Sequence, residues 1–144
     1  MKDSESWLLN AVYASPRENE RSDTWNKLYD LAENIQERRL MLGDFNDITC
    51  PDEKKGGSQV DFNRCLLFSN WINDFNLVEV DTTCTKFTWR GPKWNGRDCV
   101  FKKIYRILCN VAWRLKYHES FAKVLPRVQS DHHPITKIHN HLLF

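Results

Sequence analysis

The chain has 144 residues, which suits a single domain, and 41% hydrophobic residues with six tryptophans supply enough apolar mass for a core. Lysine and arginine number 21 against 19 acids, a net charge of +2 that neither demands nor rules out a nucleic-acid partner. No apolar stretch approaches the ~20 residues of a membrane-spanning helix, and the start, MKDSES, has no apolar targeting region behind it.

The first predicted element is a buried strand over residues 7–14, rich in strand formers and ended by Ser15 and Pro16. A helix follows, with Ser22 or Asp23 as its cap and Trp25, Leu28, Tyr29, Ala32 and Ile35 on one face. Arg38 and Arg39 fall near its C-terminal end, where cations suit the helix dipole. Residues 40–42 form a short strand that Gly43 ends, giving a βαβ pattern and an α/β fold. After a polar loop over 50–61, a second helix is predicted from about Asn63, burying Cys65, Phe68, Trp71, Ile72 and Phe75. Strands are predicted at 77–80 and 87–89, the latter with Phe87 and Trp89 sharing a core face. Gly91 and Pro92 break the chain before a loop holding Trp94, Asn95, Gly96 and Arg97. The stretch 99–108 is β-prone, Asn110 caps a short helix through Tyr117, and 135–138 is a last strand; residues 139–144 have no assignment.

The cysteines are Cys50, Cys65, Cys84, Cys99 and Cys109, an odd number without a CxxC pair, which predicts reduced thiols in an intracellular protein. His132, His133, His139 and His141 have no spacing to cysteine that fits structural zinc.

Two polar clusters carry chemistry. In MLGDFND (41–47), Asp44 and Asn46 lie two apart, so on extended backbone they share a side, while Phe45 points into the core. A carboxylate can orient water or bind a cation, and a carboxamide can hold a phosphate oxygen. The same residues are also ordinary turn formers, because they hydrogen-bond their own backbone. In SDH (130–132) a histidine adjoins a carboxylate, a pair suited to acid–base work, and it is also a polar turn ended by Pro134. Together the clusters hold the groups a metal-assisted phosphodiesterase needs.

These blocks, with AVYASP (11–16), GGSQVDFNRC (56–65), FSNWI (68–72), FTWRGP (87–92), LCNVAWRL (108–115) and VLPRVQSDHHP (124–134), resemble in order the endonuclease/exonuclease/phosphatase superfamily. The match is to the apurinic-type endonuclease domain of plant LINE-type (non-LTR) retrotransposons and spans about residues 7–138, so 1–144 is read as one partial domain. The resemblance implies part of a four-layer α-β-β-α sandwich and a DNA phosphodiesterase using Mg²⁺ or Mn²⁺. It places Asp44 and Asn46 around the scissile phosphate, with Asp44 activating water, and Tyr13 on that phosphate. It sets His132 at the phosphate with Asp131 supporting it or the metal. It also implies a nuclear protein, with DNA, the rest of the domain and a reverse transcriptase as partners.

Two departures stand beside the matches. Tyr105 occupies the position where the family carries an active-site aspartate, and a phenol near pKa 10 is no carboxylate at neutral pH. The family's N-terminal half, with its metal-binding glutamate, is expected to be missing. The expectation is therefore a nuclease-like fragment inactive alone; the alternative is a non-catalytic retroelement remnant that binds nucleic acid. Lys54, Lys55, Arg90, Lys93, Arg97, Lys102 and Lys103 form a candidate DNA-backbone face, with Trp94 as a stacking residue; the other reading is a solvated loop with scattered cations.

Overall fold

The elements of the computed structural model run, in chain order, β1 (Leu8–Tyr13), α1 (Glu18–Ala32), β2 (Arg39–Asp44), β3 (Lys54–Lys55), α2 (Phe62–Asp74), β4 (Leu77–Glu79) and β5 (Thr82–Thr83). They continue with β6 (Trp89–Arg90), β7 (Phe101–Lys102), β8 (Tyr105–Asn110), α3 (Val111–Lys116), β9 (Phe121–Val124) and β10 (Ile135–Ile138). The structure describes residues 6–32, 37–83, 85–93, 98–127, 129, 131–133 and 135–138. Ile35, Cys84, the 94–97 loop, Ser130, Pro134 and the tail from 139 lie outside the described residues.

The expected βαβ unit is present: β1 and β2 pair in parallel with α1 between them. β8 and then β4 add antiparallel to give a four-stranded sheet in the order β1-β2-β8-β4. Smaller three-stranded sheets, β10-β9-β5 and β3-β7-β6, complete the described strands.

Side-chain alternation divides the central sheet into two packed faces. Val12, Met41 and Leu108 face α2 through Phe68 and Trp71, with Phe45 fully buried and Trp25 of α1 stacked on Phe45 and Phe68. Leu40, Ile107 and Cys109 face the other way, against Trp113 of α3 and Ala122 of β9. Helices therefore cover one face, and a second sheet with α3 covers the other, the layering of a mixed α/β fold. The apolar face predicted for the second helix is the buried one, and Asp61 caps it by accepting from Asn63 N at 2.9 Å. Asn110 caps α3 as predicted, its Oδ1 accepting from Trp113 N and from Arg39 N, both at 3.0 Å. The Arg39 guanidinium donates to Leu31 O near the C-terminal end of α1, which is the predicted dipole match.

Four local expectations are corrected. Among the described strands β1 lies at the sheet edge, paired with β2 alone, and Leu9 and Tyr13 are exposed. α1 starts at Glu18, ahead of Ser22 and Asp23, because Ser15 Oγ accepts from Arg17 N and turns the chain earlier; Ser22 Oγ donates to Asn19 O inside the helix. Gly43 does not end β2 but lies within it at φ +148°, where a Cβ would sit 1.9 Å from Val12 O. The strand expected at 87–89 forms only at Trp89–Arg90, since Thr88 turns its hydroxyl inward to the backbone of residues 104 and 105.

The described cysteines Cys50, Cys65, Cys99 and Cys109 are free thiols. Among the described residues, no helix is long and apolar enough to cross a membrane.

Candidate active site

Register builds the site. Tyr13 of β1 pairs with Asp44 of β2, and Asp44 pairs with Tyr105 of β8, so three side chains form a row across neighbouring strand ends. Strands lie about 4.8 Å apart, which keeps the row within mutual reach. His132 closes over it, its ring edge-on to Tyr105 at 5.0 Å between centroids. Tyr13, Asp44, Asn46, Trp89 and His132 line one open cavity of about 410 Å³. The sequence positions 13, 44, 46, 105 and 132 are thus brought together.

Asp44 is 3% exposed, and one of its oxygens accepts from Asn46 N at 2.9 Å. Burial raises the pKa of its carboxyl, against the Asn46 hydrogen bond and the His132 charge, which pull it down. A carboxylate with a raised pKa is a stronger base, which suits activation of water. Asn46 holds φ +49° and donates from Nδ2 to Ala14 O at 2.6 Å, tying the end of β1 to β2. The hydrogen bond of the turn reading is present, and it fixes the carboxylate that faces the cavity. One of the two amide hydrogens of Asn46 is committed to Ala14, and its chemistry allows the other to serve a ligand.

Burial raises the pKa of the Tyr105 phenol, and the charges of Asp44, Tyr13 and Asp131 push it further the same way. At neutral pH it is a hydrogen-bond donor and carries no charge for a cation. Asp131 is exposed: its Oδ2 accepts from Trp89 Nε1 at 3.2 Å, and Oδ1 lies 3.6 Å from His132 Nε2. That second separation is an ion-pair distance and too long for a hydrogen bond. Trp89 is corrected from a core residue to a half-buried wall of the site.

Thr88, read in the sequence only as part of a strand, positions both halves. Its buried hydroxyl accepts from Ile104 N and Tyr105 N, each at 3.0 Å, and its carbonyl accepts from His133 N at 2.7 Å. With Arg90 N donating to Asp131 O at 2.9 Å, it holds the 131–133 segment against the start of β8. Thr88→Val removes the acceptor from one buried and one part-buried N–H group and is expected to cost roughly 2–6 kcal/mol, at about 1–3 kcal/mol per unsatisfied donor. Urea denaturation measures it; a loss no larger than that of an exposed Thr→Val control, at Thr83, would show that the clip contributes little.

Mg²⁺ and Mn²⁺ favour oxygen ligands, often carboxylates, in octahedral geometry. Among the described residues no three His, Cys, Asp or Glu side chains converge as such a set. Asp44 shares its oxygen with Asn46 N, and its neighbour on β8 is a protonated phenol. The described side chains do not fit a resident divalent ion.

Helices cover one face of a central sheet, a second sheet covers the other, and polar side chains gather at the strand ends, a mixed α/β fold. Among solved structures, the chain is similar to the endonuclease domain of TRAS1, a telomere-specific non-LTR retrotransposon, with a TM-score of 0.69 at 12% identity over 95% of this chain. The chain spans 60% of that domain's length. Two weaker likenesses are CdtB, the biologically active subunit of cytolethal distending toxin (TM-score 0.49, 13% identity, 92% of this chain and 47% of that one), and the cytolethal distending toxin of Actinobacillus actinomycetemcomitans (0.46, 12%, 92% and 49%). No family model and no curated protein matches the sequence.

Proposed function

We infer that this chain is part of an endonuclease-type phosphodiesterase domain of retroelement origin, with a site built for a DNA phosphodiester, and that by itself it does not cleave DNA. The observation that carries this reading is the row Tyr13–Asp44–Tyr105 beneath His132. A buried carboxylate for water, an amide and a phenol for phosphate oxygens and an imidazole for proton transfer meet in one cavity. Beside them stands a phenol at the position where the resemblance calls for a second acid. Without that acid, the charge that develops on the phosphate oxygens lacks a cation held by these side chains.

The plant LINE-type lineage and the four-layer sandwich rest on the ordered sequence blocks and on the likeness in fold to a retrotransposon endonuclease domain. The same reading makes the protein nuclear, where its DNA partner lies. In the second reading, a nucleic-acid-binding remnant, the cations around the cavity are what Tyr105 leaves functional.

The test is incubation of the purified chain with supercoiled plasmid in Mg²⁺ or Mn²⁺. The expected result is no nicking above the buffer control, with salt-sensitive binding of the same DNA. Robust nicking that disappears in Asp44→Ala and His132→Ala would overturn the inactivity.

A further inference from the structure

A second cavity, of about 210 Å³, adjoins the one over Asp44. Asn46, Arg64, Lys102 and Ile104 line both, so the two are continuous along this wall. Lys102 stands between them, its Nζ 5.5 Å from the centre of the Trp89 ring. Directly across the strand pair from Lys102 is Lys54, and Arg64 comes in from α2.

Like charges placed directly opposite across two strands destabilise a sheet. Here the pair is half-buried, which strengthens the repulsion. Burial lowers the pKa of the Lys102 ammonium, and the Lys54 and Arg64 charges lower it further, with only Asp47 pulling the other way. The cavity's two acids are already engaged. Asp47 pairs with the buried Arg21 at 3.3 Å, and Asp61 caps α2. Arg64 pairs with Glu18 at 3.2 Å, but that pair is exposed and cheap to exchange. Lys54 donates to Ser58 O at 2.6 Å, a neutral acceptor that offsets no charge.

We propose that Lys102, Lys54 and Arg64 form a second phosphate subsite, which holds the neighbouring phosphate of a nucleic-acid strand whose first phosphodiester lies over Asp44 and His132. An anion at this point relieves the repulsion among three cations and turns it into affinity. Trp89, which lines the first cavity beside Lys102, faces the sugar and base of the linking nucleotide. The proposal deepens the phosphodiester reading of the Asp44 cavity and rests on it for the placement of the first phosphate.

The experiment is fluorescence anisotropy of a short labelled DNA duplex, titrated at several salt concentrations without divalent metal. Lys102→Gln and Arg64→Gln are each expected to weaken binding several-fold, regardless of base sequence, and to lower the salt slope by about 1. Lys27→Gln, an exposed lysine on α1, is expected to leave both unchanged. Without DNA, Lys102→Gln is expected to melt no lower than wild type, since it removes a repulsion; this separates lost affinity from lost folding. Unchanged affinity in Lys102→Gln and Arg64→Gln, an equal loss in Lys27→Gln, or no binding by wild type at low salt would each overturn the subsite. Failure of the phosphodiester reading looks different: Tyr13→Phe and His132→Gln would leave binding intact while Lys102→Gln still weakened it.

Discussion

Gly43→Ala is expected to prise β1 from the central sheet and to destabilise the fold by roughly 2–6 kcal/mol, combining about 1–3 kcal/mol of overpacking with a similar cost of backbone strain. The added Cβ would lie 1.9 Å from Val12 O, 2.8 Å from Val12 C and 2.9 Å from Val12 N. All three atoms are backbone, so no side chain can swing away. The φ of +148° adds strain that an L side chain does not relieve. Because β2 is β1's pairing partner among the described strands, β1 itself must move, and Tyr13 leaves the row with Asp44. Gly56→Ala is the control: its Cβ would meet Cys99 O at 3.0 Å in an exposed loop, and its cost is expected to be smaller. Equilibrium denaturation of the two variants decides the matter; a smaller loss at Gly43 than at Gly56 would contradict the close approach of β1 to β2.

Arg106→Met is expected to cost roughly 3–5 kcal/mol, the usual consequence of stranding a buried charge. Arg106 is fully buried next to Tyr105, with its guanidinium over Phe68. It donates to Glu53 through both Nη atoms, to Glu79 at 3.1 Å and to Lys103 O at 3.2 Å. Glu53 is 6% exposed and also accepts from Thr49 N at 2.7 Å and Thr49 Oγ1 at 3.0 Å. Burial pushes the Glu53 carboxyl up, but the Arg106 guanidinium and the Thr49 donors together hold it below its ordinary value. The folded state then binds fewer protons than the unfolded chain, so this contribution is complete above the ordinary carboxylate range and is lost as pH falls through the depressed value.

Asp47 acts with the opposite sign. Burial raises it to about 6, so its contribution is present at low pH and declines as pH rises through about 6. Asp47→Asn is expected to flatten the neutral limb of the stability profile and leave the acid limb of Glu53. Arg106→Met is expected to remove that acid limb, and adding Glu53→Gln should recover part of the loss. If Arg106→Met kept wild-type stability and the same acid limb, the buried pair would not be what holds Glu53 ionised.

Signals that act between near neighbours in the chain were legible from residues alone. Asn110 caps its helix through its own next turn, and the Phe68 and Trp71 spacing buries one face of α2. Phe45 enters the core because alternation puts it opposite its polar neighbours. The ordered blocks also named the positions that the fold gathers: 13, 44, 46, 105 and 132. Pairing distant in sequence was not legible. Gly43 looked like a strand stop because its close contact is with Val12 on another strand, and Trp89 looked like core because the group it meets, Asp131, comes from a later segment. Thr88, Arg106 and the Lys54–Lys102 pair carry no local pattern at all. Their roles come from hydrogen bonds, burial and repulsion across strands, which exist only once register has placed the partners face to face.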